Sequence, residues 1–157
     1  MQKERNSISK FQKDYVHFLS QLEIMDVRLV SAKIDNFASS VPTRDCSVSV
    51  RTRPSYENAH GRIDMFHRYN LTVSAPEVQH PIAKLIVVFC VSYSSQIPMT
   101  DKVFDSFKEH SLPLTTWPYF REFVHNMFSR SGWIRLIPPA FKRGVPSPKK
   151  RQRNKAK

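Results

Sequence analysis

The stretch that decides the fold is 117–141, WPYFREFVHNMFSRSGWIRLIPPAF. Its first half has the period of a helix. Phe120, Val124, Met127 and Phe128 fall at spacings of 4, 3 and 1, with Phe123 beside them, which builds a wide apolar face. Arg121, Glu122, His125 and Asn126 lie largely away from it. Thr116 suits an N-cap, and Pro118 suits a first turn, where its missing N–H has no helical partner. The helix is therefore expected to begin near Thr116, with Arg121 and Glu122 anchoring its start. It is expected to end at Gly132 in a left-handed cap. The second half carries Pro138 and Pro139 and is expected to be extended.

Upstream, TDKVFDSFKEH (100–110) reads as a separate helix capped by Thr100 or Asp101, with Val103, Phe104 and Phe107 on one side. LPLTT is expected to break it. Before it the period changes to two. The most apolar segment, 82–95, is rich in β-branched residues and fits a central strand. Segment 62–75 places Leu71 and Val73 on one face, and 54–61 reads as a turn. CSVSVRTR (46–53) alternates Cys46, Val48 and Val50 against Ser47, Ser49 and Arg51. Segment 37–45 reads as a loop and 24–36 as a further strand. In 11–22, Phe11, Tyr15, Phe18 and Leu22 share one helical face, whereas 1–10 reads as loose and polar. Strands followed by helices give an α+β class: a four-stranded antiparallel sheet with helices packed on one face.

The chain has 157 residues, enough for one domain with a substantial core. No apolar run reaches the length of a membrane span, and the N-terminus lacks the pattern of a secretory signal. Two cysteines, Cys46 and Cys90, allow a single disulfide, but reduced thiols in a cytoplasmic protein are the expected state. The formal charge is +12, unevenly placed. Residues 142–157 carry eight Lys or Arg and no acid, so the preceding 141 residues carry +4. Such a tail has too few apolar residues to form a core and is expected to be disordered. The division is thus a partly helical N-terminal segment at 1–21, a domain at 22–141 and a basic tail at 142–157.

The 117–141 stretch resembles the signature of the SecB protein-export chaperones. The matching positions are Trp117, Pro118, Tyr119, Arg121 and Glu122 at the helix start, Arg130 and Gly132 at its end, and Leu136, Pro138, Pro139 and Phe141 beyond. The resemblance implies a SecB-like fold over about 22–141. It implies a chaperone that holds non-native polypeptides without ATP or any other cofactor, and a homo-oligomer built as a dimer of dimers. It implies that the 35–45 crossover helps wall a client groove, which makes Phe37 and Val41 the first candidate contacts and Trp133 and Ile137 the second. Eleven Phe, five Tyr, two Trp and five Met supply adaptable apolar surface for such clients. The family continues past the proline segment into a second long helix and an acidic tail. Here KRGVPSPKKRQRNKAK follows, with the opposite charge, which puts the family's contact with the SecA motor in doubt. The departure suits a dedicated chaperone, such as one that protects an antitoxin, as well as it suits general export.

Catalysis has little to stand on. Arg121 and Glu122 are adjacent on a helix and do not face each other. The six histidines (His17, His60, His67, His80, His110 and His125) show no metal-ligand spacing, and no phosphate-cradling glycine loop occurs. No enzyme and no metal site are expected. The alternative is nucleic-acid binding through the tail, with Lys149, Lys150, Arg151 and Arg153 as phosphate contacts.

Overall fold

The computed structural model describes residues 2–36, 46–76, 78–131 and 138. The elements run α1 (Gln2–Ser20), β1 (Glu23–Asn36), β2 (Ser47–Ala59), β3 (Arg62–Ser74), β4 (Ala83–Ser94) and α2 (Asp101–Arg130). The four strands form one antiparallel sheet in the order β1-β4-β3-β2. Consecutive strands β1 and β2 thus lie at opposite edges of the sheet. The α+β class, with both helices on one face, is as the sequence indicated.

Side-chain alternation explains which face the helices cover. On β3, Ile63, Met65, Tyr69, Leu71 and Val73 are buried, and on β4 so are Leu85, Val87, Phe89, Val91 and Tyr93. These form two adjoining clusters. One combines Tyr69, Leu71, Leu85, Val87 and Phe89 with Phe120, Val124 and Phe128 of α2. The other combines Ile63, Met65, Val91 and Tyr93 with Phe18 of α1 and Phe107 and Leu112 of α2. Helix α2 therefore lies over β3 and β4, spanning both clusters, and α1 covers one end.

Three local expectations are corrected. First, α2 is a single helix of 30 residues with Pro113 and Pro118 inside it, so LPLTT does not break it and Thr116 does not cap it. Thr100 is the N-cap, its side chain accepting from the Val103 N–H. An interior proline costs about 3 kcal/mol or more through a lost hydrogen bond and a ring clash. Burial of Leu112, Pro113, Thr116 and Phe120 on the sheet offsets that cost. The Thr115 and Thr116 hydroxyls also donate to the Ser111 and Leu112 carbonyls, at 3.3 and 2.9 Å, bracing the turns between the prolines.

Second, 54–59 is strand, not turn. Pro54 sits in β2 opposite His67, and it is tolerated because β2 is an edge strand. The reversal comes at His60–Gly61, where Gly61 has φ 68°, a left-handed conformation that favours glycine. Third, α1 begins at Gln2, so 2–10 is helical and not loose. Its Gln, Lys, Glu and Arg residues have good helix propensity and extend the segment docked through Tyr15, Phe18 and Leu19.

Candidate functional site

The unusual surface lies along β1. Its register sets Ile24 opposite Tyr93, Val27 opposite Val91, Leu29 opposite Phe89 and Ile34 opposite Leu85. Those β4 partners are buried beneath the helices, so the β1 row faces the helical side of the sheet. Yet Ile24 is 57% exposed, Leu29 46% and Ile34 37%. Helix α2 packs over β3 and β4 and leaves the β1 edge uncovered. Register shifts between Ile24 and Asp26, and between Leu29 and Ser31, bulge out Met25 and Val30, which are also exposed. The result is an apolar shelf along an edge strand of 14 residues.

Helix α2 forms the other wall of that shelf. Tyr119 is exposed on α2, and its ring lies 6.4 Å from that of Phe89, the residue paired with Leu29. Behind it, Trp117 and Phe120 pack on Tyr69, with Phe120 stacked at 4.2 Å and an interplanar angle of 11°. The opposite side of β1 is polar. There Arg28 pairs with Asp26 and Lys33 with Asp35, at 3.5 and 3.2 Å. Edge strands usually carry charge or short length to discourage pairing. This one keeps its helix-side row apolar, as suits a surface that another chain covers.

The buried polar groups hold the scaffold. Thr116 Oγ1 lies 2.7 Å from His67 Nδ1, 2.7 Å from Tyr69 Oη and 2.9 Å from the Leu112 carbonyl. A hydroxyl has one proton. With that proton on the Leu112 carbonyl, Tyr69 O–H and His67 Nδ1–H both donate to Thr116. Burial holds the His67 pKa down to about 4, so the ring is neutral. Burial raises the Tyr69 hydroxyl and the Cys90 thiol above their usual values. Cys90 is a free thiol within β4. Among the described residues no group of three or more His, Cys, Asp or Glu is placed to hold a metal. No helix among them is long and apolar enough to cross a membrane.

The signature residues take different parts. Trp117 lies half-buried against the core, and Pro118, Tyr119, Glu122 and Arg130 are exposed. Arg121 is in the middle of α2 and donates from Nε to the Pro138 carbonyl at 2.9 Å. It ties the helix to the proline segment and does not anchor a helix start. Gly132, Leu136, Pro139 and Phe141 lie outside the described residues, as do Phe37, Val41, Trp133, Ile137 and the tail cations Lys149, Lys150, Arg151 and Arg153. Sequence reasoning missed Ile24, Met25, Leu29, Val30 and Ile34. The available signal was their broken alternation: apolar neighbours at 24–25 and 29–30 interrupt the period of two, as a bulge does.

No protein-family model matches the sequence, and neither does any curated protein. Among solved structures, the chain is similar to the SecB-like chaperone of Mycobacterium tuberculosis, determined in complex with a ChAD peptide from the HigA1 antitoxin. The TM-score is 0.70, over 81% of this chain and 95% of that one. Sequence identity is 14%, so the likeness is one of fold. With its four-stranded antiparallel sheet and its helices on one face, this chain has a SecB-like fold.

Proposed function

We propose that the protein is a SecB-like chaperone that holds non-native polypeptide on an apolar shelf between β1 and α2, without ATP. The observation that carries this reading is the row Ile24, Leu29 and Ile34, apolar and exposed on the side of the sheet where their β4 partners are buried. These side chains are already about half covered, so burying the rest under a client yields about 0.7–1.5 kcal/mol each, with little demand on sequence. Phe37 and Val41, which follow β1 in sequence, and Trp133 and Ile137, which follow α2, are proposed as further client contacts. The similar mycobacterial chaperone holds an antitoxin peptide. That complex favours a dedicated client of the same kind over general export. The working form is a homo-oligomer, a dimer of dimers, in the cytoplasm.

The test is binding of a labelled, permanently unfolded model protein to the full chain and to an Ile24→Asp/Leu29→Asp variant. Two lost apolar contacts predict an affinity at least about tenfold lower. The melting temperature should change little, because both positions are exposed. Light scattering on the same samples gives the assembly mass. Unchanged client affinity would remove the shelf from client binding. A halved mass with unchanged affinity would make it an interface between copies instead.

A further inference from the structure

The sheet face opposite the helices carries a second unusual surface. Arg53 of β2 lies directly opposite Arg68 of β3, and Arg51 opposite Asn70. All three arginines alternate with inward residues such as Tyr69 and Leu71, so they share the outer face, where they are exposed. Like charges directly opposite on a sheet are destabilising. No carboxylate relieves them: among the described residues none of the three makes an ion pair. Arg68 has only a long contact from Nε to Asn70 Oδ1, 3.4 Å. The other end of the same face is handled differently. There Asp64 accepts from Arg62 at 2.6 Å and from Ser92 at 2.5 Å, and Ser92 accepts from Arg28 at 3.1 Å. Charge is neutralised at one end of the face, whereas at the other Arg51, Arg53 and Arg68 make no ion pair among the described residues.

The open end is a shallow pocket of about 550 Å³ lined by Arg51, Arg53, Asn70, Thr72 and Lys84. Guanidinium forks with neighbouring hydroxyl and amide groups match phosphate oxygens. Arg51 and Arg53 are two residues apart on one strand, about 6.6 Å, which is close to one repeat of an extended polynucleotide. Phe66 is on the same face, two residues from Arg68, half-buried and flanked by Ser55 and Cys90 across the neighbouring strands. Its ring offers a base-stacking platform beside the cations, the combination by which proteins hold single strands.

We propose that this outer face, through Arg51, Arg53, Arg68 and Phe66, binds the backbone and bases of a single-stranded nucleic acid. The site lies on the opposite side of the sheet from the client shelf and does not depend on the chaperone reading. It is also distinct from the basic tail at 142–157.

The test uses full-length protein and a fluorescent 20-nucleotide oligouridylate, with anisotropy followed across salt concentration. Replacing all three arginines with alanine should lower the slope of log affinity against log salt by about 2, at roughly 0.7 per phosphate contact. Phe66→Ala should weaken binding by about fivefold or more, with the salt slope kept. Both effects should persist in a full-length chain whose eight tail cations are changed to glutamine. A triple variant that binds with wild-type affinity and slope overturns the proposal and assigns all binding to the tail. Polyglutamate that displaces the probe as well as unlabelled oligouridylate does, at equal charge, overturns it in favour of an acidic polypeptide.

Discussion

Arg121 and Pro138 are 17 residues apart in the chain, yet the Arg121 Nε–H donates to the Pro138 carbonyl at 2.9 Å. Pro138 is buried, and this bond fixes where the chain goes after α2. Arg121→Ala removes the donor and leaves a buried carbonyl unsatisfied, at a cost of about 1–3 kcal/mol. For a chain of this size that lowers the melting temperature by roughly 2–4 °C per kcal/mol. Arg121→Lys should recover little, because a flexible ammonium does not reproduce the fixed direction of Nε–H. Calorimetry of the three proteins checks this, and equal stability of Ala and wild type would deny the bond a structural role.

Thr116 joins β3 to α2 through one hydroxyl that serves His67, Tyr69 and the Leu112 carbonyl. Thr116→Val keeps the shape and deletes the acceptor for two buried donors. The expected loss is about 2–6 kcal/mol, from roughly 1–3 per unsatisfied group. Thr116→Ser keeps the hydroxyl and should lose less than half as much. Denaturant titration measures both, and equal losses would mean that packing, not hydrogen bonding, sets the stability here.

Much of this fold was legible before any coordinates, for identifiable reasons. Strands β3 and β4 announced themselves because both are central, so Leu71, Val73 and the 82–95 run had to be apolar. The 117–141 signature marked the scaffold because Trp117 and Phe120 close over Tyr69 and Arg121 holds Pro138. Two things were not legible. Local propensity read Pro113 and Pro118 as helix boundaries, whereas burial across the sheet carries the helix through both. The outward shelf on β1 was hidden because sequence gives a strand and its apolar side, but not how far a helix from elsewhere reaches across it. Ile24 and Leu29 look like core residues until α2 is seen to stop short of them.

Protonation of His67 should set the acid limit of the fold. Its pKa is about 4 in the folded protein, lowered by burial, against about 6.5 when unfolded. The unfolded state therefore binds the proton first. The contribution of His67 is complete above pH 6.5 and is lost as the pH falls toward 4, by about 3 kcal/mol in total. Asp64 acts in the same sense at lower pH. Burial opposes its ionised form, but hydrogen bonds from Ser92 and Arg62 outweigh that and hold its pKa below the usual carboxylate value. Unfolding free energies at pH 7, 5.5 and 4 should fall steadily, and His67→Gln should flatten the curve between pH 7 and 4. An unchanged slope in that variant would assign the acid sensitivity to other groups.

Pro118 and Pro113 offer a comparison that separates backbone from packing. Both interrupt α2, and each removes a helical hydrogen bond to the carbonyl four residues earlier, at Leu114 and Glu109 respectively. Pro118 is exposed, so Pro118→Ala restores the bond and loses little contact. The interior penalty of about 3 kcal/mol is relieved only in part, because the unfolded chain also gains freedom worth about 0.4–1 kcal/mol. A net gain of about 2–2.6 kcal/mol at most is expected. Pro113 is buried against the sheet side of the helix, so its alanine variant gains the same bond and forfeits core packing. Its net change should lie near zero or be unfavourable. If Pro118→Ala instead destabilises the protein, the proline must be setting the helix path that lays Trp117 and Phe120 on Tyr69. Near-ultraviolet circular dichroism of those rings would then change with the variant, whereas a simple backbone gain leaves that spectrum as it is in the wild type.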